Sequence, residues 1–200
     1  MGNHTIRKIQ IATGAVTTLA GSPGSYGSTN ATGTSARFRN PSGITTEGTN
    51  LYVTDSTNQM VRKIVIATGA VTTLAGSTST GSTDGTGTSA RFNYAKQITT
   101  DGTSLYVADQ NNHKIRKIVI STGVVTTLAG SGSSGATDDS GTSARFNGPR
   151  GITIDGTNLY VSDTDNHKIR KIALRKNAST ALTLYTVSYT HLTLPTTPYV

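Results

Sequence analysis

Apolar positions along the chain come in short runs, and the runs recur in a fixed order. From Gly43 to Gly76 the order is "GITTE", the turn "EGT", "NLYVTD", the turn "DSTN", "QMVRKIVI", the turn "ATG" and "AVTTLA". The runs are rich in Val, Ile, Thr and Tyr, which suit a pleated strand. The gaps carry turn residues, and Asp101-Gly102 and Asp155-Gly156, the later copies of the first turn, are strong hairpin signals. The pattern predicts four strands joined by three tight turns, an antiparallel meander. Nothing of helix length separates the strands, which excludes parallel βαβ units. The strands do not alternate cleanly between apolar and polar, as expected of a sheet covered on both faces.

The order repeats. The Asn that opens the longest phrase falls at Asn3, Asn58, Asn112 and Asn166, spaced 55, 54 and 54. "SARF" begins at Ser35, Ser89 and Ser143, and "LYV" at Leu51, Leu105 and Leu159, all spaced 54. The extra residue of the first period lies between Gly21 and Ser35. A loop tolerates such an insertion, whereas a strand would have every later side chain flipped to the other face. That stretch is therefore a loop. A four-stranded meander repeated at this period predicts the blade of a β-propeller, with a longer inter-blade loop than the ~40–45-residue WD40 unit allows. The expected fold is all-β: an incomplete, open propeller of four-stranded antiparallel blades over 1–172. It comprises a partial blade at 1–21, blades at 41–76 and 95–130, and a partial blade at 149–172. Residues 173–200 fall outside the pattern.

"NHKIRKI", preceded by "LYVADQN" and followed by "VTTLAG", resembles the NHL repeat: Asn112 and His113 match its first two letters and Ile115 stands at the third. The resemblance runs from Asn3 to Ile172, and Gln59 departs from it by replacing His. It implies a propeller, usually of about six blades, and a binding scaffold more often than an enzyme. Against that frame the chain opens within a blade and is expected to be a fragment. "VSYTHLTLPTT", from Val187 to Thr197, resembles a translated sequencing adapter and is expected to be read-through, while "STALTLYT" before it is a candidate makeshift fourth strand.

Composition narrows the function. Hydrophobic residues make up 34% and charged residues 14%, too little charge for charge-driven disorder. There is no cysteine, hence no disulfide or thiolate metal site. No apolar run approaches the ~18 residues of a membrane-spanning helix. The net charge is +8, and ten of the eighteen Lys and Arg lie in the repeated phrase: Arg7, Lys8, Arg62, Lys63, Lys114, Arg116, Lys117, Lys168, Arg170 and Lys171. The expectation is a solvated strand with snorkelling stems. Nucleic-acid binding would call for interleaved aromatics, which the phrase lacks.

Among candidate residues, His4, His113 and His167 share one repeat position with Gln59, so turn packing is expected there rather than metal ligation. Asp55, Asp109 and Asp163 read as acceptors for backbone N–H groups in the turn, and Asn58, Asn112 and Asn166 as residues tolerant of positive φ. Asn30, Asp84 and Asp138 bring one oxygen-bearing side chain per loop, sparse for calcium. Phe38, Phe92 and Phe146 read as loop anchors between blades. The binding candidates are Arg37, Arg91 and Arg145, which would recur around one rim. The expected function is a non-catalytic scaffold that binds a protein, peptide or glycan through inter-blade loops, without cofactor or metal. A propeller hydrolase or lyase with an axial metal, and nucleic-acid binding through the basic strands, are the alternatives. Self-association through open blade faces and an extracellular or cell-surface bacterial setting are further expectations.

Overall fold

The computed structural model describes residues 2–174 and 187–188. Among them there is no α-helix; strands and single-turn 3-10 segments account for the regular structure. Strands β1 (Ile6–Ile9) and β2 (Val16–Ala20) form a two-stranded sheet. Strands β3 (Pro41–Thr46), β4 (Asn50–Asp55), β5 (Met60–Val65) and β6 (Val71–Gly76) form the first complete blade in consecutive antiparallel order. The second comprises β8 (Ala95–Thr100), β9 (Ser104–Asp109), β10 (Lys114–Val119) and β11 (Val124–Ala129). Strand β7 (Gly85–Thr86), from the loop ahead of that blade, is laid along β11. Strands β12 (Pro149–Ile154), β13 (Asn158–Asp163) and β14 (Lys168–Ala173) begin a further blade, and β15 (Val187–Ser188) pairs with β14 at Lys171 and Ile172. The sheets stand in series and do not close. The open propeller of meander blades is what the 54-residue spacing predicts. Most of the stretch expected to be read-through, and all of "STALTLYT", lies outside the described residues.

Successive blades stack face to face, with β3, β8 and β12 side by side on the inside. The approach is close at Gly43, where an added Cβ would run into the backbone of Lys96 and Gln97. The core is the space between blades, in three clusters built alike. Phe38 packs between Ile6 and Ala20 of one sheet and Val53, Ile64 and Val71 of the next. Phe92 takes the same place between Val61 and Ala75 on one side and Leu105, Val107 and Ile118 on the other. Phe146 does so between Ile115 and Ala129 and the pair Leu159 and Val161. Each ring is completely buried, worth ~1.5–3 kcal/mol apiece. Both faces of a blade are thus apolar, with Val61 turned to one neighbour and Ile64 to the other, which is why the strands lack a polar side.

The first turn of each blade is held by its acidic residue. Asp101 Oδ1 accepts the N–H groups of Thr103 and Ser104 at 2.9 and 2.7 Å, and its Oδ2 accepts the Tyr106 hydroxyl at 2.9 Å. Asp155 repeats this with Thr157, Asn158 and Tyr160. Glu47 reaches Asn50, but its Oε2 and the buried Tyr52 hydroxyl nearby make no hydrogen bond of good geometry.

Candidate functional site

Two arrangements recur at one end of the blades. One is constant between copies and the other varies.

The constant one is a buried arginine latch. Arg62, Arg116 and Arg170 are fully buried, each on the third strand of its blade, beside a bulge against the fourth strand in the two complete blades. Arg116 Nη1 donates to Asp109 Oδ2 and to the Arg91 carbonyl, both at 2.9 Å. Its Nη2 donates to Asp84 Oδ1 at 2.7 Å and to the Thr83 carbonyl at 3.1 Å. The guanidinium carbon lies 5.1 Å from the centre of the Phe92 ring. Arg62 is held alike by Asp55, Asn30 and the carbonyls of Arg37 and Thr29. Arg170 is held by Asp163, Asp138 and the carbonyls of Arg145 and Thr137. One side chain thus clamps the incoming loop, the second strand and the aromatic anchor of a blade. In each latch the Arg Nε has no hydrogen-bond partner.

This changes three expectations. The basic phrase reads as a solvated face, which holds for the exposed Arg7, but in the other three copies the arginine turns inward and leaves Lys63, Lys117 and Lys171 half-buried. The arginine can do so because the blade brings a carboxylate from seven residues upstream and the loop brings an acceptor from thirty-two upstream. Asp55, Asp109 and Asp163 do accept one backbone N–H each, but from Arg39, Asn93 and Asn147 on the loop rather than from their own turn. Asn58, Asn112 and Asn166 are not the positive-φ residues; the next residue is, with φ 59° at Gln59, 53° at His113 and 55° at His167. The Asn amides instead bridge the latch Asp to the loop carbonyls of Gly27, Gly81 and Gly135. Asn30, Asp84 and Asp138 are taken up by the latch arginines, and among the described residues no group of three His, Asp or Glu gathers to hold a metal.

Burial is the largest influence on the latch carboxyls, pushing Asp55 and Asp109 above the ordinary value against the pull of the arginine and asparagine. It lowers Arg62 for the same reason. The half-exposed Asp84 is pushed up by burial too, but the Thr127 N–H and Arg116 outweigh this and hold it below the usual range.

The left-handed residue joins neighbouring blades. His4 Nδ1 accepts the Asn40 N–H and His113 Nδ1 the Gly148 N–H, both at 3.1 Å, and Gln59 Oε1 accepts the Tyr94 N–H at 2.6 Å. An amide oxygen and an imidazole nitrogen serve equally, so the departure at Gln59 keeps the contact. The rim arginines are occupied as well: Arg37 and Arg91 each donate Nη1 to two carbonyls of their own loop. Arg145 is exposed beside Gly135.

The varied arrangement is the start of the innermost strand. After the identical "GTSARF", the copies read "RNPSG", "NYAKQ" and "NGPRG". These stretches place Arg39, Ser42, Tyr94, Lys96 and Arg150 at the rim where the inner strands meet. Tyr94 is 38% exposed, with the Lys96 ammonium 5.2 Å from its ring centre. Arg39 lies 5.0 Å from the ring centre of Tyr26, and Arg150 faces Asp165 at 3.8 Å. Beneath, the variation is absorbed by hydroxyls, with Thr54 and Ser56 donating to the carbonyls of Lys96 and Ala95 on the next blade. Sequence reasoning passes over Tyr94, Lys96 and Arg150. The signal that marks them is a pair of positions, second and fourth after an invariant hexamer, at which all three copies differ.

The NHL repeat family model matches residues 146–172, from the loop anchor Phe146 to the end of the latch strand. Over 195 residues the chain is 33% identical to NHL repeat-containing protein 2 of Homo sapiens, covering 90% of this chain and 27% of that protein. It spans about a quarter of the length of such curated relatives. Among solved structures, an auxiliary nutrient binding protein from Bacteroides ovatus is 25% identical, with a TM-score of 0.64 over 86% of this chain and 43% of that one. Its counterpart from Bacteroides thetaiotaomicron has a TM-score of 0.65 at 21% identity, over 84% of this chain and 42% of that one. The matched repeat sets Asn166 at the turn, the left-handed His167 after it and the Arg170 latch in the same frame as the two complete blades before it, and the chain belongs to the NHL-repeat family.

Proposed function

We propose that the chain is a non-catalytic binding module, and that its protein, peptide or glycan ligand is taken at the rim where the inter-blade loops enter the inner strands. The observation that carries this is the contrast within each copy. The latch, anchor and turn are kept in every blade, whereas two of the five positions opening the inner strand differ in all three copies: Asn40, Tyr94 and Gly148 at one, Ser42, Lys96 and Arg150 at the other. Packing alone would hold them as constant as their neighbours. The changes set cations, an aromatic ring and hydroxyls side by side, a mixture suited to polar ligands with an apolar face. Arg62, Arg116 and Arg170 of the basic strands take no part, being buried in the latches.

The test is a glycan array and a displayed peptide library probed with the chain and with its Tyr94→Ala/Lys96→Ala/Arg150→Ala variant. A set of ligands that binds the chain and is lost with the variant, at unchanged circular dichroism, is the expected result. Ligands held equally by both, or turned over by the chain, overturn the reading.

A further inference from the structure

The junction between the two complete blades departs from the others at both of its joining residues. Elsewhere a histidine Nδ1 accepts the N–H of Asn40 or Gly148, whereas here Gln59 Oε1 accepts that of Tyr94. All three donors are left-handed, with φ 54° at Asn40, 57° at Tyr94 and 58° at Gly148. Glycine adopts that region without strain and asparagine adopts it readily, but a bulky side chain seldom does. A tyrosine held there, where the chain twice uses a tolerant residue, points to a use for its ring. The ring does not serve the core. It is 38% exposed, while Phe92 of the same loop fills the space between the blades. Blades flank this junction on both sides, so neither end of the chain makes the site.

The charge around that ring is one-sided. The Lys96 ammonium rests 5.2 Å from the ring centre and makes no ion pair among the described residues. Thr54 and Ser42 both donate to the Lys96 carbonyl, which fixes the strand beneath it. Arg150 stands at the same repeat position on the neighbouring inner strand. Of the chain's ten carboxylates, five are spent in the latches. Three hold the first turns, at the opposite end of the blades, and Asp139 bonds within its own loop. Asp165 remains beside the rim, 3.8 Å from Arg150, too far for a hydrogen bond.

We infer that the ligand taken at this rim is an acidic sugar, a uronate pyranose whose apolar face lies on Tyr94 and whose carboxylate is held by Lys96 and Arg150. The inference rests on the rim reading above and names the chemistry of its ligand. A carboxylate alone would account for the two cations but not for a ring kept in a left-handed position. An apolar group alone would account for the ring but not for cations set apart from the chain's own acids. A uronate carries both on one rigid frame, with the carboxylate on the carbon next to the ring oxygen. Its carboxylate meets the arginine fork and the lysine ammonium through charge-assisted hydrogen bonds, and its C–H face covers the aromatic ring. An acidic peptide side chain brings its carboxylate on a flexible stem with no face to cover the ring.

The probes are trimers of galacturonate, glucuronate and mannuronate, their neutral methyl esters, a hexaglutamate peptide and a single-stranded RNA, each titrated calorimetrically against the full-length chain. At least one uronate trimer is expected to bind, and its methyl ester to bind about tenfold or more weakly. The affinity for the acid is expected to fall several-fold between about 0.05 and 0.5 M sodium chloride. Tyr94→Asn copies the residue at Asn40 and removes the ring. It is expected to weaken binding about tenfold while the melting temperature holds or rises, whereas a ring kept for packing would lower it. Lys96→Gln is expected to weaken binding about tenfold and to flatten the salt dependence. Asp165→Asn, which frees Arg150, is expected to tighten it. Failure of every uronate trimer to bind, a methyl ester held as tightly as its acid, tighter binding of hexaglutamate or RNA, or a lower melting temperature in Tyr94→Asn overturns the inference. A neutral glycan or a peptide that is lost with the triple rim variant overturns it too, but leaves the rim reading standing. A uronate bound equally by the chain and by that variant overturns both.

Discussion

Replacing Arg116 by Met isolates what a latch contributes. The Met stem keeps most of the packing against Phe92 but removes the guanidinium, which is completely buried in the native chain. Asp109, itself fully buried, is then left with the Asn112 amide at 2.7 Å and the Asn93 N–H at 2.8 Å, and no positive charge. The carbonyls of Arg91 and Thr83 lose their guanidinium donors. Breaking a buried ion pair from one side costs ~3–5 kcal/mol, most of it from the stranded charge. With a urea m-value of about 2 kcal/mol/M, the unfolding midpoint should fall by about 1.5–2.5 M. Urea titration followed by far-ultraviolet circular dichroism reads this directly. Two companions separate the cause from mere loss of bulk. Arg116→Met/Asp109→Asn removes the stranded carboxylate and should regain at least half of the loss, since buried pairs are often replaceable by neutral groups at little cost. Arg7→Met, at the same repeat position but exposed, should change stability by no more than ~0.5 kcal/mol. If Arg116→Met and Arg7→Met shift the midpoint alike, or if the double variant is as unstable as the single one, buried charge is not what the latch holds in balance.

Three further outcomes are expected. Phe92→Ala should cost ~3–5 kcal/mol by opening a cavity between blades, whereas Arg91→Ala, which loses only loop carbonyl contacts, should cost ~1 kcal/mol; chemical denaturation compares them. Glu47→Asp should raise stability by ~1 kcal/mol, because the shorter acid lets the first complete blade bond its Tyr52 hydroxyl as Asp101 bonds Tyr106; melting curves detect the gain. Asp101 is pushed up by burial, but the N–H groups of Ser104 and Thr103 outweigh this and hold it below its ordinary value. Its contribution is therefore present above the unfolded carboxylate range near 4 and lost as pH falls through that range. The drop in melting temperature between pH 7 and pH 3 should be smaller in Asp101→Asn than in the native chain.

The architecture was legible because the chain states it repeatedly. A fixed spacing located the strands, and the one-residue insertion before Ser35 told loop from strand, since only a loop absorbs it. Phe38, Phe92 and Phe146 were legible as recurrent large residues, and the structure places all three rings between blades. The latch was not legible in the same way. "RKI" is locally a charged stretch, and arginine is seldom fully buried. What lets it go inside is a set of acceptors drawn from three separated segments, visible only when they are folded together. The trace left in the sequence is a fixed offset, Asp at seven before the arginine and Asn or Asp at thirty-two before it, repeated in three copies. Asn58, Asn112 and Asn166 were misplaced for a related reason. Asn is the usual left-handed residue, but here its amide is needed between Asp and loop, and the strain passes to the following His or Gln.

The latch also fixes where this molecule can be cut and rejoined. Its acceptors, from Thr83 to Asp109, and its arginine at 116 lie within a single stretch of chain that begins in the loop and ends in the third strand. A gene duplication or a deliberate graft that transfers this stretch whole carries a neutralised arginine into its new host. One that starts at the first strand instead leaves the loop behind, and delivers a buried cation with three of its four acceptors missing. The heritable module is therefore a loop followed by three strands, offset from the sheet that the eye would draw as the unit. Recombination libraries built on that frame should yield soluble hybrids, and libraries divided at sheet boundaries should not.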